Sequence, residues 1–470
     1  MIIKNLGSFI RRCLCVAACI ALLIITIGVV TAVITPPALE ARQFTAQENS
    51  NAGVHAGLAQ NMHSPVLRIV VPYPDNIASQ ERSYGPGMEA ELLKRFIEGG
   101  GYRAMYIFAA SCTEGLDTIN NGRADIMVGF GGIPAENYSN VTFGPPLATF
   151  NPVIVAAPAT DAATDKAEAL HIPASKLNRI SYSQSVNKAA TSVNPNAFLV
   201  EPATYALLVP LHNNLETLGY VEESSSYHWF WNAENEKIAA LMQNFWAEPQ
   251  VETMRAELSD RYYGFIPATP KQQTLKELAK IINKHIGAYS ADIAKAAAAH
   301  DIDPLLLSAV IFQESRFNPN ARSYTGVRGI MQLTLDTASM LNVNRMDPTE
   351  SIMGGARYLR SIKDSIDFVG QDVSEWDKWC LTLAGFNQGP TVLRRALRAA
   401  GDEGKAQTWA SMRSFYPGLK QKGLAGSGFR AKEAINYVEN IRYYYYILSG
   451  LANIAHPEHT DLAGLRASIE

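Results

Sequence analysis

Between residues 66 and 155, short β-branched runs alternate with apolar positions at helical spacing. Val66-Leu67-Arg68-Ile69-Val70-Val71 predicts a buried first strand. Met88, Leu92, Leu93, Phe96 and Ile97 then share one face of a helix from Met88 to Glu98. Ala104 to Phe108 and Ala124 to Gly129 read as two further strands, with a helix from Gly115 to Asn121 between them. This βαβαβ alternation predicts an α/β unit with a largely parallel sheet. Asn151-Pro152-Val153-Ile154-Val155 reads as a strand crossing to a second lobe. His228-Trp229-Phe230-Trp231 reads as an aromatic strand followed by a helix to Trp246, whereas residues 160–225 show no clear period. Pro267-Ala268-Thr269-Pro270 marks a boundary, and from Thr274 onward the pattern is helical, broken by Gly, Pro and Asn.

The first segment follows a different rule. Lys4, Arg11 and Arg12 precede an uncharged, mostly apolar run from Cys13 to about Thr35, and roughly 20 such residues span a bilayer. Basic residues before the run and Glu40 after it put the N-terminus in the cytoplasm and the rest across the membrane. A retained anchor and a signal cleaved near Val30-Thr31-Ala32 both fit. Residues 40–64, rich in Gln, Asn, Ala and Ser, read as a tether.

Composition narrows the function classes. The 470 residues carry 41 Lys plus Arg against 44 Asp plus Glu, a net charge of -3, which argues against a nucleic-acid partner. Of five cysteines, Cys13, Cys15 and Cys19 lie in the first segment, leaving Cys112 and Cys380. These two are expected to be small buried hydrophobes. No Cys/His cluster has zinc-site spacing, and neither a metal nor a cofactor is expected.

One acid stands out. Asp303-Pro304 has the signature of a helix start, and Leu305 to Phe312 is apolar nearly all round, as in a buried helix. Glu314 sits near its end, before Asn318-Pro319. A carboxylate there either loses solvation and rises in pKa, as a general acid requires, or is a helix-end group turned to solvent or paired with Arg316. On this segment alone the two readings weigh the same.

The surrounding motifs separate them. Gln313-Glu314-Ser315-x-Phe317-Asn318-Pro319, with Ser323, Gly326 and Gly329-Ile330-Met331-Gln332-Leu333-Thr334, resembles the catalytic core of the soluble-type lytic murein transglycosylases. Leu383-Ala384-Gly385-Phe386-Asn387-Gln388-Gly389 and Glu433-x-x-x-Tyr437-Val438 resemble that family's two later motifs, in the same order. The resemblance covers about residues 295–450 and implies an all-α, lysozyme-like fold. It also implies that Glu314 is the catalytic acid/base, that Ser323 and Gln332 contact the sugar, that Met331 lines the cleft, that Asn387 shapes it, and that Tyr437 lies close to the acid. Phe386 departs from the family's tyrosine. Gly326 and Gly329 are expected at positive φ.

Residues 65–265 resemble the periplasmic amino-acid-type solute-binding domains through the first strand, Gly87-Met88-Glu89-Ala90-Glu91-Leu92-Leu93, Leu116-Asp117-x-x-x-Asn121-Gly122-Arg123-Ala124-Asp125 and Val141-Thr142-Phe143-Gly144-Pro145-Pro146. That resemblance implies two lobes closing on a small ligand. Asn137 stands where these domains hold an arginine for the ligand carboxylate, with Gly132 and Pro134 at the preceding threonine positions. A ligand-sensing module and a spacer or docking module therefore weigh equally.

The expected layout is an export or anchor segment (1–39), a tether (40–64), a solute-binding-like domain (65–268), a helical linker (269–294), a lysozyme-like transglycosylase domain (295–456) and a tail (457–470). The fold class is a two-lobed α/β domain followed by an all-α domain. The expected substrate is the glycan strand of peptidoglycan, cut between N-acetylmuramic acid and N-acetylglucosamine to leave 1,6-anhydromuramoyl ends. The expected partners are those strands, a membrane, and a muropeptide or other small ligand in the first domain, in the cell envelope facing the periplasm. Two alternatives stand beside this reading: a hydrolytic muramidase, or a cell-wall-fragment sensor with a silent catalytic domain. An ordinary glycoside hydrolase needs two carboxylates about 5–9.5 Å apart. No second acid lies between Glu314 and Thr334, and Asp336 is expected to cap a helix.

Overall fold

In a computed structural model of the chain, the described residues are 64–72, 87–109, 112–131, 138–156, 178–180, 198–212, 215–221, 224–324, 326–366 and 373–455. The first segment, nearly all of the tether, the tail, and Gly132, Pro134 and Asn137 lie outside them. Among the described residues no helix is long and apolar enough to cross a membrane.

The chain opens with β1 (Val66–Pro72), α1 (Met88–Gly100), β2 (Arg103–Ala109), α2 (Cys112–Asn120) and β3 (Ile126–Gly131). β1 pairs in parallel with β2 on one side and with β3 on the other, as βαβ crossovers require. α1 ends where Gly101 takes φ 65°, a left-handed turn that caps the last carbonyls. Two short strands follow, β4 (Val141–Phe143) and β5 (Ala148–Phe150).

The chain then crosses to a second sheet, as expected at Asn151. This lobe contains β6 (Val153–Ala156), β7 (Asn178–Ile180), β8 (Phe198–Val200), α3 (Pro202–Leu211) and β9 (Glu216–Tyr220), with strand order β7-β8-β6-β9. It returns to the first sheet as β10 (Ser225–Asn232). The two crossings are tied together: Val221 N–H donates to Pro152 O (2.8 Å), and the Asn151 side chain donates to Val221 O (3.0 Å). This paired crossing forms the joint between the lobes.

The first sheet is mixed rather than largely parallel. β10 runs antiparallel to β3, β4 and β5, giving the order β2-β1-β3-β10-β4. Its aromatic run predicts a buried strand and says nothing about direction, which is set by the return from the second lobe. Trp229 on β10 is fully buried and stacks on Phe245 at 5.8 Å. Phe245 belongs to α4 (Glu236–Ala247), which precedes α5 (Pro249–Tyr263).

The remainder is helical: α6 (Gln272–His300), α7 (Pro304–Ser315), α8 (Leu335–Leu341), α9 (Pro348–Asp364), α10 (Glu375–Gln388), α11 (Pro390–Asp402), α12 (Trp409–Phe415) and α13 (Ala431–Ala455). Residues 316–334 are irregular, an exception to the all-helical expectation. α13 packs along α7 and α10, while α6 packs against α9 and α7. α6 and α13 also cover α3 of the second lobe. That cover explains why α3 is apolar on every side.

A buried ionic knot joins the two halves. Arg442 on α13 is 1% exposed; it donates to Glu439 Oε2 (2.8 Å) and to the Asp260 carbonyl on α5 (2.6 Å). Arg413 on α12 bridges Asp260 Oδ1 (2.6 Å) and Glu439 Oε1 (3.0 Å). Trp409 Nε1–H also donates to Glu439 Oε1 (2.8 Å). Cys112 and Cys380 are both free; Cys380 is buried as expected, and Cys112 is half-buried.

Both ends of α7 are fixed by chemistry legible in its sequence. Asp303 Oδ1 accepts from the N–H groups of Leu305 (2.7 Å) and Leu306 (3.4 Å), while its Oδ2 accepts from the Tyr445 hydroxyl on α13. Asp303→Ala removes the cap and the acceptor of the buried Tyr445 hydroxyl, which we expect to lower the unfolding free energy by about 2–3 kcal/mol. Asp303→Asn should cost less. Denaturant midpoints at unchanged slope measure both.

Candidate functional site

The C-terminal turn of α7 positions Glu314. Immediately after it, Arg316 (φ 50°) and Phe317 (φ 58°) both adopt the left-handed region, so the helix stops and the chain turns sharply. Two such residues in succession are costly without glycine. Tertiary contacts hold them: Phe317 is fully buried and stacks near Tyr289 of α6 at 6.3 Å. Arg316 lies over the Phe312 ring (4.9 Å) and pairs with Glu277 of α6 (3.7 Å). The outward pairing of Glu314 with Arg316 is therefore not adopted.

Glu314 instead turns toward α13, where its Oε1 accepts a hydrogen bond from the Tyr437 hydroxyl. The residue as a whole is half-buried, and protein surrounds its carboxyl closely. Loss of solvation pushes its pKa up to about 7, against a smaller opposing effect of the Tyr437 hydrogen bond. Burial raises the Tyr437 phenol well above its ordinary value, with the neighbouring Glu314 charge adding to the effect. Tyr437 therefore remains a donor.

Residues 321–333 form a tight loop that gathers Ser323, Met331 and Gln332. Ser323 N–H donates to Val327 O (3.1 Å), Gly329 N–H to Ala321 O (3.0 Å), and Leu333 N–H to Arg328 O (3.2 Å). The Gln332 side-chain nitrogen donates to Ala321 O (3.0 Å) and Gly329 O (2.8 Å). Its amide protons are thus engaged inside the loop, leaving its Oε1 as the atom for any contact outward. Met331 is fully buried against Gly355, where an added Cβ would meet the Met331 methyl at 2.4 Å. It presents no surface of its own and packs the loop onto α9, so it does not offer the exposed surface that lining a cleft requires.

Asn387 lies at the end of α10, half-buried, and accepts from Gln388 Nε2 (2.6 Å). The ring of Phe386 packs near Tyr358 at 5.6 Å. Of the residues singled out from the sequence, Glu314 and Tyr437 touch directly, and Ser323, Met331 and Gln332 share one loop. Asn387 lies on α10, and α13 packs on both α7 and α10. Asp336 does not cap α8. Thr334 does, accepting from Thr337 N–H (3.0 Å), and Asp336 is exposed in the first turn. Among the described residues no cluster of His, Cys, Asp and Glu is arranged to hold a metal.

Residues 292–408 match the family model described as the Transglycosylase SLT domain. The chain carries a transglycosylase SLT domain. Along most of its length it is also similar to proteins named membrane-bound lytic murein transglycosylase F. That of Yersinia pestis (strain Pestoides F) is 28% identical over 438 residues, 86% of this chain and 88% of its own length. That of Pseudomonas fluorescens (strain Pf0-1) is 28% identical over 421 residues, 82% and 85% of the two chains. Among solved structures, a histidine kinase sensor domain with similarity to periplasmic binding proteins aligns with a TM-score of 0.32 at 15% identity, covering 43% of this chain and 97% of its own.

The two loop glycines respond differently to substitution. Both have positive φ, 85° at Gly326 and 84° at Gly329. A Cβ on Gly329 would fall 1.8 Å from the Arg345 carbonyl oxygen, whereas one on Gly326 would meet nothing within 4 Å. Gly329→Ala should cost roughly 2–4 kcal/mol, and Gly326→Ala roughly 1–2 kcal/mol from backbone strain alone; thermal denaturation of the pair checks the order. Glu314 gives a second prediction. Because its folded pKa is raised, the unfolded chain ionises first as pH climbs from 4.5 to about 7, and stability falls across that window. Glu314→Gln should therefore be more stable than the parent above pH 7, by at most about 3 kcal/mol. The advantage should vanish near pH 4.5.

Proposed function

We propose that the chain cleaves the glycosidic bond between N-acetylmuramic acid and N-acetylglucosamine of peptidoglycan without consuming water. Glu314 carries this reading, as a carboxyl raised to about 7 by burial and held by Tyr437. Such a group is protonated often enough at neutral pH to act as an acid and ionised often enough to act as a base. In the proposed reaction it donates its proton to the glycosidic oxygen as the C1–O bond breaks. As carboxylate it then accepts the proton of the muramoyl 6-hydroxyl while that oxygen bonds to C1. The products are an N-acetylglucosamine 4-hydroxyl end and a 1,6-anhydromuramoyl end, and Glu314 regains its proton. Tyr437 fixes the carboxyl's orientation through both steps, because its own proton is never near release.

Ser323, Gln332 Oε1 and Asn387 are the proposed sugar-facing polar groups, with Met331 bracing the loop below. The SLT domain and the named relatives support the substrate and a place in the cell envelope. The two-lobed domain, with its hydrogen-bonded double crossing, supports a regulatory role. A small ligand that closes the lobes would bias the helical half through the Asp260–Arg442 contact, provided it prefers one state.

Mass spectrometry of muropeptides released from purified sacculi by residues 40–470 tests the reaction. We expect anhydro ends, one water lighter than reducing ends, and their loss in Glu314→Gln. Reducing ends would make the enzyme a hydrolase. The rate should fall as pH rises above about 7, where the general acid loses its proton.

A further inference from the structure

Charge is unevenly spread along the chain. Residues 390–432 hold nine Lys and Arg against two Asp and Glu, in a chain whose net charge is -3. Some of these cations are neutralised within the fold: Arg413 belongs to the ionic knot, Lys422 pairs with Glu403, and Arg430 pairs with Glu433 (3.1 Å). Those on α11 are not. The helix buries Leu393, Ala396, Leu397 and Ala400, which leaves Arg394, Arg395 and Arg398 exposed on its outward side. Arg394 donates to the Ser365 hydroxyl (3.3 Å), and among the described residues none of the three meets a carboxylate. Even Asp402, one turn beyond Arg398, forms no ion pair with it. The exposed Lys405 extends the run past the end of the helix, where the Glu403 pair also holds Lys422.

Like charges a helical turn apart repel, and an anionic partner relieves that repulsion. The outward side of a helix is convex, which suits an extended plane of anions rather than a single small one. A guanidinium fork matches a phosphate group, and an anionic bilayer presents phosphates as a continuous surface that attracts Lys and Arg near it. We propose that the outward face of α11 docks the helical half on an anionic phospholipid surface. A place in the cell envelope supplies such a surface, and the proposal does not depend on the reaction at Glu314. Docking there has a consequence for the site. α11 starts immediately after Gly389, the residue that ends α10. A face held to a membrane would therefore also set the orientation of the helix that bears Asn387.

Sedimentation with phospholipid vesicles tests the face. Residues 64–470 form one compact unit, so the chain from residue 40 onward is used, free of the apolar first segment that would itself enter a bilayer. The salt is set at about 0.1 M, where charges are screened over about 10 Å. We expect partition onto vesicles containing phosphatidylglycerol to exceed that onto pure phosphatidylcholine by about tenfold or more, although the chain's net charge is negative. Arg395→Gln with Arg398→Gln should remove most of that preference. Arg395→Lys with Arg398→Lys keeps both charges and should retain the larger part. Lys280→Gln with Lys284→Gln takes the same charge from exposed positions on α6 and should change partition by less than about twofold. Equal partition onto the two kinds of vesicle would sink the proposal, as would a loss in the α6 variant that matches the loss in the α11 variant. Binding to purified sacculi that disappears in Arg395→Gln with Arg398→Gln, while phosphatidylglycerol is ignored, would assign the face to the wall and overturn it as well.

Discussion

A carboxyl group kept from water by protein, with one phenol for a partner, is the constraint on which the rest of the helical half depends. Withdrawing Glu314 from solvent takes a helix apolar on every face, so α7 must be wrapped by α6 on one side and α13 on another. A helix so enclosed can satisfy its terminal groups only locally. Asp303 does this at the start, and the left-handed pair Arg316-Phe317 turns the chain away at the end. Tyr437 completes the arrangement, since a second ionisable neighbour would pull the carboxyl out of the range where it can exchange a proton near neutrality.

The loop beside it addresses a different problem. It must hold a fixed path without regular structure, and it does so by binding its own backbone with side chains. Gln332, itself at φ 48°, fastens Ala321 to Gly329, and Arg345 fastens Gly326 to Leu333. Rigidity of this kind is what a positioned substrate contact requires.

How much of this could be read from the sequence follows from which interactions are local. The α7 cap, the glycines at positive φ and the βαβ start rest on neighbours a few residues apart, and their signals are plain in the chain. The motif order carried Glu314 and Tyr437 to one another across 123 residues, a pairing that periodicity alone would not give. The direction of β10 and the burial of α3 depend on a return from a distant lobe. Asp336 was read as a cap because Asp favours that position, but Thr334 had already taken it.

The ionic knot at Arg442 has a consequence for how the chain may be divided. Composition puts a clean boundary near Thr269, and either side of it has the elements of a domain. Yet Asp260 lies before that boundary, while the two arginines it serves lie after it. A helical half released there would carry Arg413 and the fully enclosed Arg442 without their Asp260 partner, leaving each paired with Glu439, and would leave Asp377 without Arg261. The segment that bears Tyr437 is the same helix. Severing the chain at its most obvious linker would therefore unsettle the support of the acid from about one and a half turns away, and the two halves are electrostatically a single body.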